Sequence, residues 1–500
     1  MKKSTVKSIA FAVAVCISAL SWNVRGAEIA TASDFVAVMS QDSAGSHALT
    51  ADIDLADSAY TTVPNFTGTL DGQGHAITGL GAQSLFVTNA GHVANLTIDG
   101  AVSGVNTEWK ADSTAGIFCV VCDGGDFVGC KVAGYTLRVS TTGYGGLFAG
   151  IAYEGSVFSS CSTDVGCVVR SATANATVGC FAGFLTCSVA EGTVASFVDC
   201  TNRAAILVTS GDYSARGKGG FVGKIDNVVS TSIPEVAFVR CVNAGTMSQS
   251  AKLSRLGGFV GTVGGNGEKQ QDGIIRFVDC TNESDITASN SQSSCAAGFV
   301  AHASSISLEF SGCVNRGNIL CAATAGGFVG EISGYGKSVG NGDIFLNSAN
   351  YGNVTGTNNV GGLVGTVSWN EGYNRGQLHV RNCATYGTIE TGEGGNKGQI
   401  IATASSGTSN GVIIEFTNIW APTSVLYASS TKEPIVSCVQ TADAEGYELS
   451  QACKALDAVA ESTEGYERWC LGRVGGDLIA PELACFVMKH YIAGFSVFVR

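Results

Sequence analysis

The chain has 500 residues, a formal net charge of −13, 67 glycines, 19 cysteines and only 14% charged residues. Its 45% hydrophobic content exceeds that of disordered proteins, and collagen is excluded because the glycines follow no three-residue period and there are only 5 prolines. The acidic balance, with no basic run along the chain, argues against nucleic acid or an anionic membrane as a partner.

Residues 1–26 have the pattern of a signal peptide for export. Lys2, Lys3 and Lys7 precede the uncharged run 9–20, and Val24-Arg25-Gly26 offers small residues for cleavage before Ala27. A membrane anchor is the weaker alternative, because this run is shorter than the roughly 20 apolar residues that a span requires. We therefore predict a secreted or cell-surface protein whose mature chain does not insert into a membrane.

A repeat organises residues 113–421, after an N-terminal cap and first coils over 27–112. Its first half reads Gly-Gly-Phe-Val-Gly-x-Ile, as in 219–225, 257–263 and 326–332. Its second half reads Phe-x-x-Cys-x-Asn-x-Gly-x-Ile, as in 238–247, 277–286 and 310–319. Between Gly146 and Gly362 the copies recur with a mean spacing of 36 residues.

Each half of the repeat is typical of a strand followed by a turn. A unit this small cannot bury its own strands, so the copies must stack on one another. The repeat predicts an all-β fold, a right-handed parallel β-helix or solenoid, with one repeat in each turn. A propeller or a sandwich is the alternative, but the unit lacks the hairpin turns of a propeller blade.

Stacking predicts columns of like residues. One column contains only cysteines, apart from Ser348: Cys130, Cys161, Cys200, Cys241, Cys280, Cys313 and Cys383. Neighbours about 4.8 Å apart in parallel strands are too far apart for disulfides, so we expect buried, unpaired thiols. A metal or redox ladder is the alternative, but no histidines accompany the column.

Three further columns follow from the same alignment. Asparagines two residues after the cysteines are expected to hydrogen-bond along the stack: Asn202, Asn243, Asn282, Asn315 and Asn350. Glycines further on are expected to form turns with positive φ: Gly245, Gly317, Gly352 and Gly387. Asp199, Arg240 and Asp279 are expected to form a row of alternating charge on the surface.

The segment 67–80, which contains Leu70-Asp71-Gly72-Gln73-Gly74-His75, resembles the opening coil of bacterial secreted proteins with GLUG-type repeats. The flanks 49–55 and 93–100 are similar to the same family, and the resemblance covers about residues 30–420. It implies a pectate-lyase-like right-handed β-helix of the kind found in adhesin-like surface proteins and attached to secreted enzymes.

Residues 422–500 lack the repeat and are predicted to form a small α+β segment that caps the end of the solenoid. Residues 449–460 have helical spacing of apolar positions, and residues 486–499 resemble a strand. Cys438, Cys453, Cys470 and Cys485 form an even set, and export would permit one or two disulfides whose pairing the spacing leaves open.

The sequence offers no catalytic group, no metal site and no cofactor motif. Asp52, Asp54 and Asp57 are interpreted as edge and turn residues near Asp71, and His75 as a structural hydrogen-bonding residue. The pair Cys119 and Cys122 has neither the second pair nor the βαβ context of a redox or zinc site.

Insertions between the two halves of the repeat are expected to emerge on one face of the solenoid. They lie at 226–235, 264–273, 333–342 and 368–377, and aromatic residues in the last two make Tyr335, Trp369 and Tyr373 the candidate binding residues. The alternative is that these rings fold back over the strands.

The main hypothesis is thus an exported, non-enzymatic β-solenoid with a role in adhesion, binding or surface structure, whose partner would be a glycan or a host or matrix protein. The sequence does not indicate an oligomeric state. A carbohydrate-active β-helix enzyme and a stalk that presents the C-terminal segment are the alternatives.

Overall fold

A computed structural model describes residues 26–102, 104–140, 142–172, 175–186, 194–209, 216–226, 235–250, 255–264, 273–289, 294–304, 306–334, 342–369, 377–406, 413–430, 433–444, 448–474 and 478–486. Four sheets run along one axis through these residues, and nearly every strand pairs in parallel with the equivalent strand of the next coil. The fold is therefore the predicted parallel β-helix. The right-handed sense stays an expectation from the handedness of parallel crossovers.

Each coil passes through the sheets in the order 1, 2, 3 and 4. Sheet 1, the longest, comprises Ala27–Ile29, Ser46–Leu49, Ile53–Asp54, Thr69–Asp71, Ala76–Thr78, His92–Ala94, Thr97–Asp99, Asp126–Val128, Lys131–Ala133, Val157–Ser159, Ser162–Thr163, Val194–Val198, Thr201–Asn202, Glu235–Val239, Val242–Asn243, Ile274–Val278, Thr281–Asn282, Ser307–Ser311, Val314–Asn315, Asp343–Leu346, Ala349–Asn350, Gln377–Thr385, Ile413–Ala421 and Ile435–Thr441. In most coils it contributes two strands, separated by a corner.

Sheet 2 comprises Ala101–Val102, Val105–Ala111, Tyr135–Val139, Val168–Ser171, Ala205–Val208, Met247–Gln249, Ile286–Ala288, Ile319–Cys321, Val354–Thr355 and Ile389–Glu390. Sheet 3 comprises Ala115–Gly116, Tyr144–Gly146, Thr177–Gly179, Gly217–Gly219, Arg255–Gly257, Cys295–Ala297, Thr324–Gly326, Asn359–Gly361 and Asn396–Gly398. Sheet 4 comprises Val63–Phe66, Phe86–Asn89, Cys119–Cys122, Ala149–Tyr153, Ala182–Thr186, Val222–Asp226, Val260–Val263, Val300–Ser304, Val329–Gly334, Val364–Trp369, Ile401–Ser406 and Tyr427–Ser430.

The core consists of two phenylalanine stacks. In sheet 1, Phe158, Phe197, Phe238, Phe277, Phe310 and Phe345 lie face to face, with centroids 4.8–4.9 Å apart. The phenylalanines of the Gly-Gly-Phe step form the second stack, which meets the first edge to face, as in the 5.9 Å contact of Phe221 with Phe238. One sequence repeat is therefore one coil, and its two halves supply the two stacks.

The cysteine and asparagine columns are confirmed. Every cysteine in the described residues is a free thiol, and Cys200 and Cys241 donate from Sγ to the Phe158 and Phe197 carbonyls of the preceding coils, at 3.3 and 3.2 Å. The amides of Asn202, Asn243, Asn282, Asn315 and Asn350 form a continuous hydrogen-bonded ladder with spacings of 2.7–2.8 Å.

The expected row of alternating charge is also confirmed. The Arg240 guanidinium donates to both oxygens of Asp199, at 2.6 and 2.7 Å. Asp199 and Arg240 lie at equivalent corners of adjacent coils, because the flanking strands pair Phe197 with Phe238.

The prediction that the glycine column takes positive φ is wrong. Gly245 and Gly317 are absent from the left-handed residues, which instead occupy the corner just before the cysteines, as at Asp199 and Asp279 with φ of 54°. The glycines are required because the coils approach closely: a Cβ on Gly245 would lie 1.9 Å from the Ala204 carbonyl oxygen.

The helix Ala32–Gln41 lies at the N-terminal end and buries Phe35 and Met39 in the core. Thr31 caps it, because its hydroxyl accepts a hydrogen bond from the Asp34 amide at 3.1 Å.

The C-terminal segment contains the expected helix, at Leu449–Ser462, and an antiparallel hairpin of Trp469–Val474 and Leu478–Leu483. Strands Tyr427–Ser430 and Ile435–Thr441 still add a coil to the stack before it. The helix and hairpin themselves pack on the flank of the coils, against Val314, Ala349, Ala384 and Trp420, rather than over the end of the stack. The flank is covered more completely than the last coil, because these flank residues are buried whereas Val436 in the last coil is 46% exposed.

The disulfides expected in this segment are absent from the structure. Cys438, Cys453, Cys470 and Cys485 are all free thiols, and Cys438 donates from Sγ to the Ala455 carbonyl at 3.6 Å. The predicted strand over 486–499 lies outside the described residues, apart from Phe486, which belongs to a helical turn.

Candidate functional site

The connections from sheet 4 back to sheet 1 leave from one edge of the solenoid. Their first residues are stacked because the strands before them pair, as Thr186 does with Asp226 and Ser333 with Ser368. Their last residues are stacked likewise, as Glu235 is on Ile274. The longer connections of this row are 187–193, 227–234, 265–272, 335–341, 370–376 and 407–412. The described strands thus confirm that the insertions begin and end on a common edge.

Of the three candidate binding residues, the structure places the backbone of Trp369 at this edge. Trp369 is the last residue of the strand Val364–Trp369, where its backbone pairs with Gly334 and Ser406. It was expected inside an insertion that begins at Ser368, but strand pairing extends through it. The Trp369 side chain, Tyr335 and Tyr373 lie outside the described residues.

A polar cluster follows the seam where sheets 3 and 4 meet. The sheets approach closely there, since a Cβ on Gly217 would lie 2.1 Å from the Gly223 carbonyl oxygen. The Lys224 ammonium contacts Asp226 at 2.5 Å, and His302 Nε2 lies 3.2 Å from the Ser333 hydroxyl. Glu331 follows His302 in register on the next strand.

His302 is the group in this seam that would best suit general base catalysis, but its environment opposes that role. Burial and then the nearby Arg255 charge lower the pKa of His302 to about 3. A base that weak accepts protons poorly at neutral pH. The cluster therefore does not favour the enzyme alternative.

A histidine–carboxylate contact lies on the outer face of sheet 1. His379 Nδ1 and Arg381 Nη2 contact the same oxygen of Glu415, at 2.7 and 2.6 Å. Partial burial opposes the shift, but hydrogen bonds from Arg381 and His379 hold the pKa of Glu415 below its usual value. The arrangement is an ion pair that keeps the carboxyl group ionised.

The acidic residues of the first coils support the backbone, as interpreted from the sequence. Asp52 accepts hydrogen bonds from the Ala76 amide at 2.9 Å and from His75 at 3.2 Å. Asp54 accepts from the Ala56 amide at 3.1 Å, and Asp71 from the Gln73 amide at 2.9 Å. These carboxylates stabilise turns.

Neither helix in the described part of the chain has the length and apolar character needed to cross a bilayer. Within the same residues, no group of three or more histidine, cysteine, aspartate or glutamate side chains is arranged to hold a metal ion.

One charged feature of the surface was not expected from the sequence. The register of sheet 2 aligns Lys110 with Arg138 and Arg138 with Arg170, which gives a row of three cations on the outer face. These residues are 28 and 32 positions apart, so only an alignment of the weak early coils could have revealed the row. A chain without a basic run thus still has three cations in register on this face.

Fold and surface together define a parallel β-helix protein with a row of connections along one edge. No protein-family model and no curated protein matches the chain. Among solved structures it is similar to one described as a "putative immunoglobulin A1 protease from Bacteroides ovatus", with 19% identity, a TM-score of 0.40, and coverage of 55% of this chain and 83% of that one. A TM-score at this level assigns neither a shared activity nor a shared substrate.

Proposed function

We propose that the protein is an exported, non-enzymatic β-solenoid that binds a glycan or a host or matrix protein through the row of connections between sheets 4 and 1. The proposal rests on the observation that the ends of these connections are stacked in register. A rigid stack repeats the same edge once per coil, so residues on successive connections can contact one extended ligand together.

The alternatives receive less support. The enzyme alternative lacks a group suited to general base catalysis in the seam, since the best candidate, His302, is held neutral by burial. In the stalk hypothesis the coils present the C-terminal segment to a partner, yet its helix and hairpin bury their apolar residues against the flank of the coils.

The test is a glycan and matrix-protein array with residues 27–500, repeated with the double variant Trp369→Ala/Tyr373→Ala. If these rings anchor the ligand, binding should weaken about tenfold or more, with an unchanged melting temperature. Leu320→Ala is the control, because Leu320 is 46% exposed on sheet 2, away from this edge. Equal binding by both variants would remove the assigned role of the rings, and depolymerisation of an arrayed polysaccharide would favour the enzyme alternative.

A further inference from the structure

The row of three cations on sheet 2, Lys110, Arg138 and Arg170, is set by strand pairing. Lys110 is directly opposite Arg138 and Arg138 is directly opposite Arg170. Neighbouring parallel strands lie about 4.8 Å apart, so the three side chains project from one face in a straight line. All three are exposed.

These cations differ from three other cations on sheet 1. Elsewhere Lys131 contacts Asp164, Arg240 contacts Asp199 and Arg276 contacts Glu309, all within 2.7 Å. In the described part of the chain, no ion pair or hydrogen bond links the side chain of Lys110, Arg138 or Arg170 to a partner.

The row costs free energy in the isolated protein, because like charges directly opposite each other on a sheet repel. Two carboxylates lie nearby at one end: Glu108 is two residues before Lys110, and Asp112 is two residues after it. Asp112 accepts a hydrogen bond from the Ser140 hydroxyl at 2.6 Å. On the outward positions of the next two strands, Arg138 and Arg170 have Thr136 and Val168 as neighbours.

We propose that this row binds a linear anionic polysaccharide that carries a carboxylate or sulfate group on successive sugars. A straight row of cations at a constant interval matches an extended polymer with regularly spaced anionic groups. Arginine guanidinium groups donate in a planar fork that fits the two oxygens of such groups.

Single-stranded nucleic acid fits this face less well. Proteins that bind it combine cations with exposed aromatic rings on which the bases stack. The residues beside the row, Thr136, Val168 and Ala205, offer no aromatic surface. The chain's net charge of −13 also repels a long polyanion, so binding should depend on direct contact with this face.

The site is separate from the edge that carries Trp369, so the inference goes beyond the function proposed above and does not depend on it. If the Trp369→Ala/Tyr373→Ala variant keeps its binding, the role proposed for the cation row is unaffected. If variants of the cation row keep their binding, the role proposed for the edge is likewise unaffected.

The experiment measures binding of polygalacturonate and chondroitin sulfate to residues 27–500 at low and high salt, with dextran as the neutral polymer. Wild-type protein should bind the anionic polymers at low salt and lose them at high salt, because exposed charges are screened. Arg138→Gln/Arg170→Gln should bind about tenfold more weakly. Arg138→Lys/Arg170→Lys should lie between the two.

The matched control is Lys397→Gln/Lys454→Gln, which removes two charges from exposed lysines elsewhere. It should bind as the wild type does. The Arg138→Gln/Arg170→Gln variant should melt at or above the melting temperature of the wild type, since it removes the repulsion between neighbouring cations. The proposal is overturned if neither polymer binds the wild type at low salt, or if the arginine variant and the lysine control lose binding equally. It is also overturned if a single-stranded oligonucleotide binds this face more tightly than either polysaccharide.

Discussion

Asp343 places a carboxyl group in the aliphatic interior of the solenoid. It pairs with Leu378 and occupies the inward position that Ile275 and Leu308 have in earlier coils. Its Oδ1 accepts a hydrogen bond from the Leu308 amide at 2.9 Å, and burial raises the pKa of Asp343 to about 7. The ionised form is therefore disfavoured in the folded protein relative to the unfolded chain.

Asp343→Asn should stabilise the protein increasingly as the pH rises. Because the folded-state pKa exceeds the unfolded value of 3.8, the wild type loses stability from Asp343 between about pH 4 and pH 7. The asparagine keeps an acceptor for the Leu308 amide and does not ionise. The variant should match the wild type near pH 4 and exceed it by about 4 kcal/mol at pH 8. Urea unfolding across this range measures the difference.

His302 makes the comparison with the wild type necessary. The folded-state pKa of His302, about 3, lies below the usual value of 6.5. His302 therefore adds to the free energy of unfolding as the pH rises from about 3 to 6.5, whereas Asp343 lowers that free energy as the pH rises. Subtracting the two unfolding curves cancels His302. Glu393→Gln, an exposed surface change, is the control. A difference that does not vary with pH would contradict the assignment of the raised pKa to Asp343.

The corner before the cysteines has a left-handed backbone conformation that the residue pattern indicates only in part. Left-handed φ is easiest for glycine, asparagine and aspartate, and Asp279, Gly312 and Asn347 occupy this position in successive coils. Arg240 and Ser160 share the same conformation, with φ of 51° and 53°, and obscure the signal in the sequence. The column itself could be predicted, but its backbone conformation could not.

At the scale of elements, the cysteine column behaves as part of the core. Cys280 donates to the Phe238 carbonyl of the preceding coil at 3.3 Å, and burial raises the pKa of the Cys200 and Cys280 thiols. Ser348 substitutes for one thiol and keeps the column's other contact, to the carbonyl two residues earlier: its hydroxyl donates to Leu346 at 2.9 Å, as Cys280 donates to Val278 at 3.4 Å. The column needs a small side chain with a donor, and does not need a sulfur atom.

Cys200, Cys241 and Cys280 should therefore resist iodoacetamide in the native protein at pH 8 and react after unfolding in urea. Reaction requires an accessible thiolate, which burial denies to these residues. Half-buried Cys470 should react faster and serves as the internal control. Mass spectrometry of the non-reduced, alkylated protein checks both points, and a disulfide between any two of the three would refute the column.

A second asparagine ladder, on the outside of the corner, holds the C-terminal segment. Asn382 donates to Asn347 Oδ1 at 2.7 Å and to the Glu467 carbonyl at 2.8 Å, and it accepts from Trp469 Nε1 at 2.6 Å. Asn418 extends the ladder with a hydrogen bond to Asn382 Oδ1 at 2.6 Å. Asn382 thus joins the coils to the hairpin.

Asn382→Ala should loosen this segment while the coils stay folded. The change leaves the buried Trp469 N–H and the Glu467 carbonyl without their partner, which costs about 3 kcal/mol. Limited proteolysis should release a fragment from residues 448–486 faster than in the wild type. Asn95→Ala is the matched control, since Asn95 has the same left-handed conformation, with φ of 50° against 52° for Asn382, but bonds to Asp71 in the first coils. Equal cleavage rates in the two variants would contradict the role of the ladder.

For the whole molecule, the outward row of sheet 1 changes character along the axis. Ser162, Thr201, Val242 and Thr281 occupy it in earlier coils, where the row is mainly polar. Val314, Ala349, Ala384 and Trp420 occupy it in later coils, where it is wholly apolar. This change marks where the C-terminal segment docks. The residues that show it are present in the sequence, but they can be recognised as one row only when the strand register is known. Stacking could be predicted from the repeat, whereas flank docking depends on contacts 95 to 131 residues apart, such as those of Tyr386 with Pro481 and Tyr351 with Glu482.

A chain of residues 27–444, which lacks the C-terminal segment, should keep its coils but associate in solution. Its strands retain their pairing and their phenylalanine stacks, so far-ultraviolet circular dichroism should stay that of a β protein. Removal of the segment uncovers the later part of the outward row as a continuous apolar strip, and such strips drive association. Light scattering after size exclusion should show oligomers. The same truncation with Val314→Thr, Ala349→Thr, Ala384→Thr and Trp420→Thr makes this part of the row polar, as most of the row is in the earlier coils, and should remain monomeric. If the truncated chain is itself a folded monomer, or if the threonine version associates equally, the segment does not serve to cover this strip.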